Sequence, residues 1–381
     1  MINLETAMQH VDESLHCVVD KGDHIVITYH HMQPETFRGA DGNICPIRTQ
    51  FRGICFDKET GKCVRLPFHK FFNYGEIPDQ EFDFNAPFYA MTKLDGSLVA
   101  PYLVGERLIW GTKSGETEMS NEIVDVLSEL PYWDRLFDFV LYSYSEGFTP
   151  LFEYVSPSNR IVLKYDKPDI VLIGWRRIED GKYATPGVLQ YLAEHYGIPV
   201  VSYQKFDNDS ILTDVKDWED SEGVVLYQNQ NFVKVKSLWY VQLHKNKELI
   251  EQEKNVVELI VDDNIDDVLP LLQEDQKADL LSFVDDFWDA INKTAQNFTT
   301  FVSLNHFNYE TRKEYALSGS SDSDYPLVKH MTFRYFDSDE KINDNVTREE
   351  LLNALKNSLT SNTKYEAFKA QNGLSYRSWQ M

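Results

Sequence analysis

The chain has 381 residues, 42% hydrophobic and 13% aromatic, so it is long enough for two domains and has the composition of a globular protein. Its formal net charge of −24 argues against broad, nonspecific duplex binding, which depends on neutralising many phosphates with basic side chains. No apolar run reaches the roughly 18–20 residues that span a bilayer, so we expect no membrane segment.

Cysteine usage and the start of the chain indicate a compartment. The four cysteines show no C-x-x-C spacing and no paired histidine pattern, which predicts a reduced intracellular protein without structural zinc. Residues 1–20 carry Glu5, Asp12 and Glu13 and lack a basic start with an apolar centre, so we expect no signal peptide. The predicted location is the cytoplasm.

Strand patterns begin the chain. Residues 22–37 alternate apolar and polar side chains and predict a strand that leads into a loop. Residues 51–57 predict a short strand that carries Arg52. Two phenylalanines then follow Lys70, and the second is Phe72. This pair fits either core packing or a base-stacking platform beside a phosphate contact.

The central stretch is Lys93-Leu94-Asp95-Gly96, which lies between two apolar runs. A lysine at the mouth of a sheet can be desolvated, and burial favours the neutral amine that acts as a nucleophile. Asp95 and Gly96 suit a turn, with Gly96 free to take a positive φ. A K-x-D-G pattern arises by chance in about one chain of this length in ten. Taken alone, the stretch fits an ordinary hairpin turn at least as well.

Further charged residues lie in predicted strands after Lys93. Lys113 ends the next returning strand, residues 119–146 have helical periodicity, and Glu153 lies in the middle of a strand. Residues 161–165 and 169–175 predict two more strands. Glu222 opens a strand, and alternation places Lys234 and Lys236 together on one face of the next.

Past residue 241 helical periodicity replaces strand patterns, in residues 246–260, 266–297 and 347–370. Residues 305–345 are rich in Asp and Ser and predict loops. We therefore predict two domains, residues 1–241 and 242–381. Both are acidic, since residues 1–241 hold 22 Lys/Arg against 36 Asp/Glu and residues 242–381 hold 15 against 25.

The charged residues within apolar strands form a candidate site. Burying a charge is costly unless it is paired or meets a ligand, so a repeated pattern of this kind indicates a polar cleft. The alternative, outward faces of antiparallel sheets, has about even odds before spacing is considered. The candidates are Arg52, Lys70, Lys93, Lys113, Glu153, Arg160, Glu222, Lys234 and Lys236.

Five of these stretches, in this order, resemble the motifs of the covalent nucleotidyltransferases, which comprise RNA and DNA ligases and mRNA capping enzymes. The stretches are Lys93 to Gly96, Phe152 to Tyr154, Val171 to Arg176, Glu222 to Val225, and Lys234 to Lys236. Within that superfamily the chain is most similar to the ATP-dependent RNA ligases of the T-even phage type, also called the RNA ligase 1 type. The similarity is close over roughly residues 20–270 and weak beyond.

The resemblance implies an α+β fold. An ATP-grasp-like nucleotidyltransferase (adenylyltransferase) domain with antiparallel sheets and flanking helices would occupy residues 1–241. A mostly α-helical C-terminal domain, linked to RNA or tRNA specificity, would occupy residues 242–381. A helical domain there favours an RNA ligase over DNA ligases and capping enzymes, which carry an OB-fold.

The implied activity joins a 5′-phosphate and a 3′-hydroxyl of RNA through lysyl-AMP and RNA-adenylate intermediates, as in RNA and tRNA repair. The implied cofactors are ATP and Mg²⁺, with Mn²⁺ as a substitute. The implied partners are RNA ends, either a broken tRNA anticodon loop or single-stranded RNA, and no membrane. We expect a monomer, in the host cytoplasm if a bacteriophage encodes the chain.

The resemblance also assigns roles to residues. Lys93 would be the nucleophile, and Lys113, Lys234 and Lys236 would serve catalysis at the transferring phosphate. Arg52 and Lys70 would hold the ribose side and the triphosphate, and Glu153 would bind the ribose or nucleoside. Glu222 would hold the metal or its waters, and Asp266 would hold a metal through water. Gly96, Phe72 and Tyr240 would line the site, although core packing explains Tyr240 nearly as well.

Several alternatives stay open. The metal-binding aspartate could be any of Asp262, Asp263, Asp266 and Asp267, or these could be solvated residues at a helix start. The adenine-side tyrosine of the family has no clear match, with Tyr29 as a candidate. Leu94 stands where a charged residue is expected, and we expect it to point away from the nucleotide. The alternative functions are a nick-sealing ligase, a GTP-dependent capping enzyme and an inactive RNA-binding relative.

Overall fold

The computed structural model divides the chain into two compact units, Met1–Val241 and Gln242–Met381. It describes residues 2–30, 33–77, 80, 82–272, 274–311, 313–314, 325, 327–328, 331, 333, 343–358 and 363–376. The first unit holds all the strands of the described residues, and the described part of the second unit is helical. The predicted α+β class with antiparallel sheets is confirmed.

Within the described residues, twelve strands form three four-stranded antiparallel sheets. They are β1 (His16–Asp20), β2 (His24–Tyr29), β3 (Ile54–Asp57), β4 (Cys63–Arg65), β5 (Phe88–Thr92), β6 (Ser97–Val104), β7 (Arg107–Gly111), β8 (Phe148–Val155), β9 (Asp169–Arg177), β10 (Tyr203–Phe206), β11 (Gly223–Gln228) and β12 (Asn231–Lys236). The strand orders are β1-β2-β3-β4, β10-β5-β11-β12 and β7-β6-β8-β9. We call these sheets A, B and C in that order.

Eleven α-helices complete the described elements. They are α1 (Leu4–Met8), α2 (Glu118–Ser128), α3 (Trp133–Ser145), α4 (Pro186–Tyr196), α5 (Ile211–Asp214), α6 (Leu238–Glu251), α7 (Glu253–Val261), α8 (Ile265–Val268), α9 (Glu274–Asn308), α10 (Asp344–Ser358) and α11 (Thr363–Asn372). Short 3-10 turns span Pro34–Phe37, Arg48–Gln50, Val215–Asp217 and Leu269–Leu271. In the described part of the chain, no helix combines the length and the apolar character needed to cross a membrane.

One face of sheet C carries helices α2, α3 and α4. Their apolar residues recur at helical spacing, so Leu127, Leu136 and Phe139 are buried against the sheet. The single helical region predicted for residues 119–146 is instead two helices. Pro131, which lacks an amide donor, lies in the turn between them.

Sheets B and C share a second apolar core. Met91 of β5 and Phe232 of β12 pack there with Ala100 of β6 and Leu151 of β8. Because strands of both sheets contribute to one core, side chains at its edge can face each other across a common space. This is where the candidate site lies.

Residues 161–165 do not form the predicted strand. The amides of Val162 and Leu163 donate instead to the carboxylate of Asp95, at 2.7 Å each. A carboxylate that takes two neighbouring amides replaces the ladder partners that a strand would need. Residues 161–165 therefore have the apolar pattern of a strand, but they do not form one.

The second unit has its own core around the long helix α9. Phe287, Ile291 and Phe298 of α9 are buried there with Leu351 and Leu355 of α10. The helix predicted at residues 266–297 begins later and continues to Asn308. The loops predicted for residues 305–345 therefore overlap the end of α9, and most of the remaining segment lies outside the described residues.

Gly223, at the start of β11 in sheet B, should tolerate no side chain. Its φ is +131°, and a Cβ there would lie 2.1 Å from the carbonyl oxygen of Val235 on the paired strand. We expect Gly223→Ala to lower the free energy of unfolding by about 3 kcal/mol or more, measured by urea titration. Gly105→Ala is the matched control, since Gly105 also has a positive φ but open space around it. It should cost only about 1 kcal/mol, and equal losses in the two variants would contradict the steric argument.

Candidate active site

A cavity of about 350 Å³ lies at the edge of the core shared by sheets B and C. Its lining combines apolar and basic side chains, which suits a ligand with both an aromatic and an anionic portion. The lining residues are Arg52, Phe68, Phe71, Met91, Thr92, Lys93, Leu94, Gly96, Leu98, Glu153, Ile173, Val201, Val225, Lys234 and Lys236. The structure thus gathers six of the predicted site residues, including Gly96, around one space.

The register of sheet B places Lys93 next to Glu222 and Lys236. Thr92 is paired with Val224, and the amide of Lys93 continues the ladder by donating to the carbonyl of Gly223 at 2.9 Å. Gly223 is in turn paired with Lys236. Lys93, Gly223 and Lys236 therefore lie side by side on three neighbouring segments, and Glu222 directly precedes Gly223.

Glu222 binds both of these lysines. Its Oε2 lies 2.8 Å from Nζ of Lys93, and its Oε1 lies 3.0 Å from Nζ of Lys236. The Glu222 side chain is 3% exposed, so its charge is shielded from water and depends on the lysines for compensation. The carboxylate therefore fixes the position of both amines.

Asp95 holds the turn that follows Lys93. The side chain is 1% exposed and accepts the amides of Val162 and Leu163 and the hydroxyl of Tyr240, the last at 2.6 Å. Tyr240 is itself buried, and burial with the nearby carboxylates raises the pKa of its hydroxyl far above the usual range. Tyr240 thus acts as a donor to Asp95 rather than as an exposed stacking surface.

One expectation for this turn was wrong. Gly96 does not take a positive φ; it is required because a Cβ would lie 2.2 Å from the carbonyl oxygen of Tyr154 on the neighbouring strand. Leu94 is among the residues that line the cavity, and its orientation toward a nucleotide stays a prediction.

Lys234 lies among cations. Its ammonium is 4.9 Å from the ring centre of Phe71, and burial lowers its pKa to about 6, helped by Arg52, Lys70, Lys93 and other basic groups nearby. Grouped cations without matching anions are costly, and an anionic ligand would offset that cost. Lys234 is therefore positioned to meet a phosphate.

Glu153 enters the cavity from β8, where it is paired with Leu98 of β6 and Val171 of β9. Burial raises its pKa to about 7; Lys93 opposes this shift and Glu222 adds to it. Near neutral pH a substantial fraction of this carboxyl is protonated, so it can donate as well as accept a hydrogen bond. Hydroxyl groups of a sugar offer both kinds of partner.

Arg52 lines the cavity beside these residues. Its Nη1 donates to the carbonyl of His69 at 3.2 Å, while its buried Nε has no hydrogen-bond partner among the described residues. A buried, unpaired N–H is costly, and an acceptor on a ligand would relieve that cost. This orphaned donor supports the predicted ligand contact.

Lys70 and Lys113 do not line this cavity. Lys70 is 4% exposed; its ammonium lies 4.7 Å from the ring centre of Phe72 and 3.8 Å from Glu76, beside a second cavity of about 630 Å³. Burial lowers its pKa. Lys113 is exposed, and its ammonium lies 4.3 Å from the ring centre of Tyr29.

The two phenylalanines after Lys70 have different environments. Phe71 lines the first cavity, whereas Phe72 is buried in a cluster with Tyr29 and Phe37. The core alternative therefore holds for Phe72, and Tyr29 is a core residue too. Phe71 stays a candidate for the predicted base-stacking platform. Sequence reasoning missed other apolar residues of the cavity, among which Met91 and Val225 are partners in adjacent strands. The alternation of sheet B was the signal that could have found the latter pair.

The acidic residues near 262–267 belong to the second unit. Asp266 is exposed in α8, and Asp262 forms an ion pair with Lys356. Asp263 has a positive φ of 57°, and the side chain of Asp267 lies outside the described residues. Across the described part of the chain, no group of three or more His, Cys, Asp and Glu side chains could hold a metal ion.

The residues present fit ATP and a metal in different ways. The apolar lining residues, the basic residues and the orphaned Nε of Arg52 fit a base and phosphates. Magnesium often keeps several waters and binds through one or two carboxylates together with substrate phosphates. Glu153 and Glu222 fit such a shared site, and they do not fit an ion held by protein alone.

The first unit resembles known RNA ligases in sequence. Residues 50–244, about half of the chain, match the sequence model of a family described as RNA ligase. RNA ligase 1 of bacteriophage TS2126 is 28% identical over 264 residues, 65% of this chain and 62% of the relative. The RNA ligase of Rhodothermus phage RM378 is 24% identical over 327 residues, 67% of this chain and 74% of the relative.

A solved structure with some similarity is an archaeal ATP-dependent RNA ligase, with a TM-score of 0.44 and 11% identity over 96% of this chain and 78% of the other. The family match is the more informative finding. Every residue that lines the first cavity lies within residues 50–244.

The cluster around Lys234 predicts a pH-dependent change in stability. Lys234→Met should raise the midpoint of thermal unfolding of the unliganded protein, because it removes an amine whose protonation is disfavoured by burial among cations. The pKa falls from 10.5 to about 6 on folding, so the unfolded state binds more protons between these values. The gain should be largest at about pH 6 and should shrink towards pH 10.

Calorimetry across that pH range measures the effect. The control is Lys216→Met, which changes an exposed lysine. A gain for Lys234→Met that stays constant from acidic to alkaline pH would contradict the argument.

Proposed function

The chain belongs to the RNA ligase family, of the T-even phage type, and we propose that it joins RNA ends through a covalent AMP adduct on Lys93. Membership confirms the predicted enzyme class, an RNA ligase. ATP and a divalent metal ion as its cofactors are part of the proposal. The residue assignments below are part of the proposal.

One observation carries the proposal. A single cavity brings Lys93 together with Arg52, Lys234 and Lys236, while most of its other lining residues are apolar. A nucleoside triphosphate has a flat apolar base and a strongly charged chain, and it needs both environments at once. The cavity offers them within the reach of a potential nucleophile.

In the first reaction, Nζ of Lys93 attacks the α-phosphorus of ATP. An N–P bond forms, the P–O bond to the β-phosphate breaks, and pyrophosphate leaves. Lys93 must lose a proton first, and Oε2 of Glu222, 2.8 Å away, is placed to accept it. Lys234 and Lys236 stabilise the negative charge that spreads over the transferring phosphoryl group.

The same residues serve the later reactions. A 5′-phosphate oxygen of RNA attacks the phosphorus of the adduct, the N–P bond breaks, and Lys93 recovers its amine. The 3′-hydroxyl of the other end then attacks the 5′-phosphate and releases AMP. Arg52 holds the nucleotide through its unpaired Nε, and Glu153 hydrogen-bonds the sugar.

The metal has a narrower part in this proposal. When bound with the triphosphate it supplies positive charge at the phosphoryl group. Glu222 and Glu153 are the side chains of the cavity region that would hold it or its waters. Because both oxygens of Glu222 bind lysines, direct coordination would displace at least one of these contacts.

RNA ends are the substrate class that the family implies, and a broken tRNA is our proposal for the physiological RNA. Its support is the resemblance to the T-even phage enzymes. Residues 242–381 hold 15 Lys/Arg against 25 Asp/Glu, so their net charge gives no electrostatic support for a phosphate-binding role. Recognition by this unit would rest on local contacts. We also propose a monomer, and the cytoplasm as the location.

Radiolabelled ATP tests the nucleophile. The protein should become labelled on incubation with α-labelled ATP and metal, and Lys93→Ala should abolish the label while the circular dichroism spectrum stays unchanged. Lys216→Ala, at an exposed lysine, is the matched control and should label normally. Label that persists on Lys93→Ala would identify another nucleophile, and label from GTP but not ATP would favour a capping enzyme.

Circularisation tests the overall reaction. A 5′-phosphorylated single-stranded RNA should be closed into a circle with ATP and Mg²⁺, whereas a nicked DNA duplex should remain open. Sealing of the duplex without circularisation of RNA would replace the RNA ligase proposal by a nick-sealing ligase. A broken tRNA that is joined no faster than unstructured RNA would overturn the tRNA proposal alone.

A further inference from the structure

Arg52 is positioned by a backbone carbonyl rather than by a carboxylate. Its Nη1 donates to the carbonyl of His69 at 3.2 Å, so the placement of the guanidinium depends on the placement of the His69 backbone. Residues 66–73 around His69 lie outside the strands, although Asn73 forms an isolated bridge with Lys234 and the amide of Lys70 donates to the carbonyl of Thr49 at 2.7 Å. The amide and the ring of His69 have a separate anchor.

The hydroxyl of Tyr183 holds His69 at two points. The amide of His69 donates to it at 3.0 Å, and Nδ1 of the His69 ring lies 2.8 Å from it. The hydroxyl has one proton, which it can donate to Nδ1, so the ring carries its own proton on Nε2. Burial lowers the pKa of His69 to about 3, which agrees with a neutral ring that accepts at Nδ1.

Tyr183 is itself held by Gln230. Oε1 of Gln230 accepts the amide of Tyr183 at 2.5 Å, and Nε2 donates to the Tyr183 carbonyl at 3.1 Å and to the hydroxyl of Tyr227 at 2.9 Å. The ring of Tyr183 is 6% exposed and stacks on Phe68. Its position is therefore set from both backbone and ring.

Gln230 makes these bonds from a strained backbone. It lies in the turn between β11 and β12 with a φ of 75°, next to Asn229 with a φ of 47°. Two consecutive positive φ values define a tight hairpin turn in which the second position strongly favours glycine. A glutamine there is unfavourable locally, and its three side-chain bonds offset that cost.

We propose that Tyr183, held by Gln230, is a positioning residue that sets Arg52 for nucleotide binding through His69. This inference rests on the proposed role of Arg52 toward ATP. The hairpin that carries Gln230 also carries Lys234 and Lys236. The chain of hydrogen bonds therefore ties Arg52 to the same hairpin as the phosphate-binding lysines, and both sides of the cavity keep one geometry.

Tyr183→Phe removes the hydroxyl and leaves the stacked ring. The ATP concentration for half-maximal labelling of Lys93 should rise about tenfold, the effect of about 1.4 kcal/mol, while the rate at saturating ATP changes less than about threefold. The same loss should appear in ATP affinity measured by calorimetry in a Lys93→Ala background, where no covalent reaction occurs.

Tyr144→Phe is the matched control. Tyr144 donates its hydroxyl to the carbonyl of Pro101 and lies outside the cavity lining. This variant loses a comparable hydrogen bond, so it should lose comparable thermal stability and keep the ATP dependence of the wild type.

Gln230→Gly separates positioning from stability. Glycine relieves the turn, so the unfolding midpoint should stay equal or rise, yet the half-saturating ATP concentration should rise about as much as in Tyr183→Phe. Asn229→Gly relieves the same turn at an exposed residue. It should leave ATP binding unchanged.

A double-mutant cycle tests the path through Arg52. In an Arg52→Ala background, Tyr183→Phe should weaken ATP binding by less than about twofold, because its effect is already lost. A full tenfold effect in that background would overturn the proposal. So would an unchanged ATP dependence in Tyr183→Phe. Absence of label on the wild-type protein would overturn the proposed function itself, and is distinguishable because it does not depend on Tyr183.

Discussion

The buried carboxylate of Glu222 is the contact on which the rest of the site depends. It is shared by Lys93 and Lys236, and at 3% exposure it cannot exchange either lysine for water at low cost. One carboxylate balances two ammonium groups, so the cluster keeps a net positive charge within a chain whose formal charge is −24. Local excess of this kind attracts an anion even though the protein as a whole repels one. The cavity is therefore locally positive although the whole chain is negative. The local charge determines whether an anion is attracted to the cavity.

The residues around Lys93 show why a four-residue pattern can specify a reactive site. Asp95 never touches the cavity; it takes two amides and a tyrosine hydroxyl, and so fixes the turn. Gly96 is needed because a neighbouring carbonyl occupies the space of its Cβ. Lys93 is thus held by its backbone bond to Gly223 on one side and by this rigid turn on the other. In the proposed reaction the backbone of the nucleophile is therefore already fixed, which limits the entropy lost when it attacks.

The sequence could predict the charged residues of the site better than the apolar residues and strands that surround them. Alternation alone places Lys234 and Lys236 on one face, because the period of a strand is two. It could not distinguish Phe71 from Phe72, since both are apolar and adjacent, and only the packing of Phe37 and Tyr29 decides which one is buried away from the cavity. The sequence also predicted a strand at residues 161–165, because apolar composition does not reveal that the carboxylate of Asp95 accepts hydrogen bonds from two of these amides. Register between distant strands, which joins Lys93 to Lys236, is a tertiary property.

The hairpin of β11 and β12 explains how such a site can be rigid while its charges repel. Lys234 has cations on several sides, and repulsion among them would spread the strands that carry them if nothing opposed it. Glu222 opposes it at the base of the hairpin, and the hydrogen bonds of Gln230 to Tyr183 oppose it at the tip. The bonds at both ends keep the amines close before any ligand arrives, so the repulsion is retained as a property of the folded protein. In the proposed function, a triphosphate that enters the cavity would gain the relief of that repulsion in addition to its direct contacts, which is the advantage of a preorganised site.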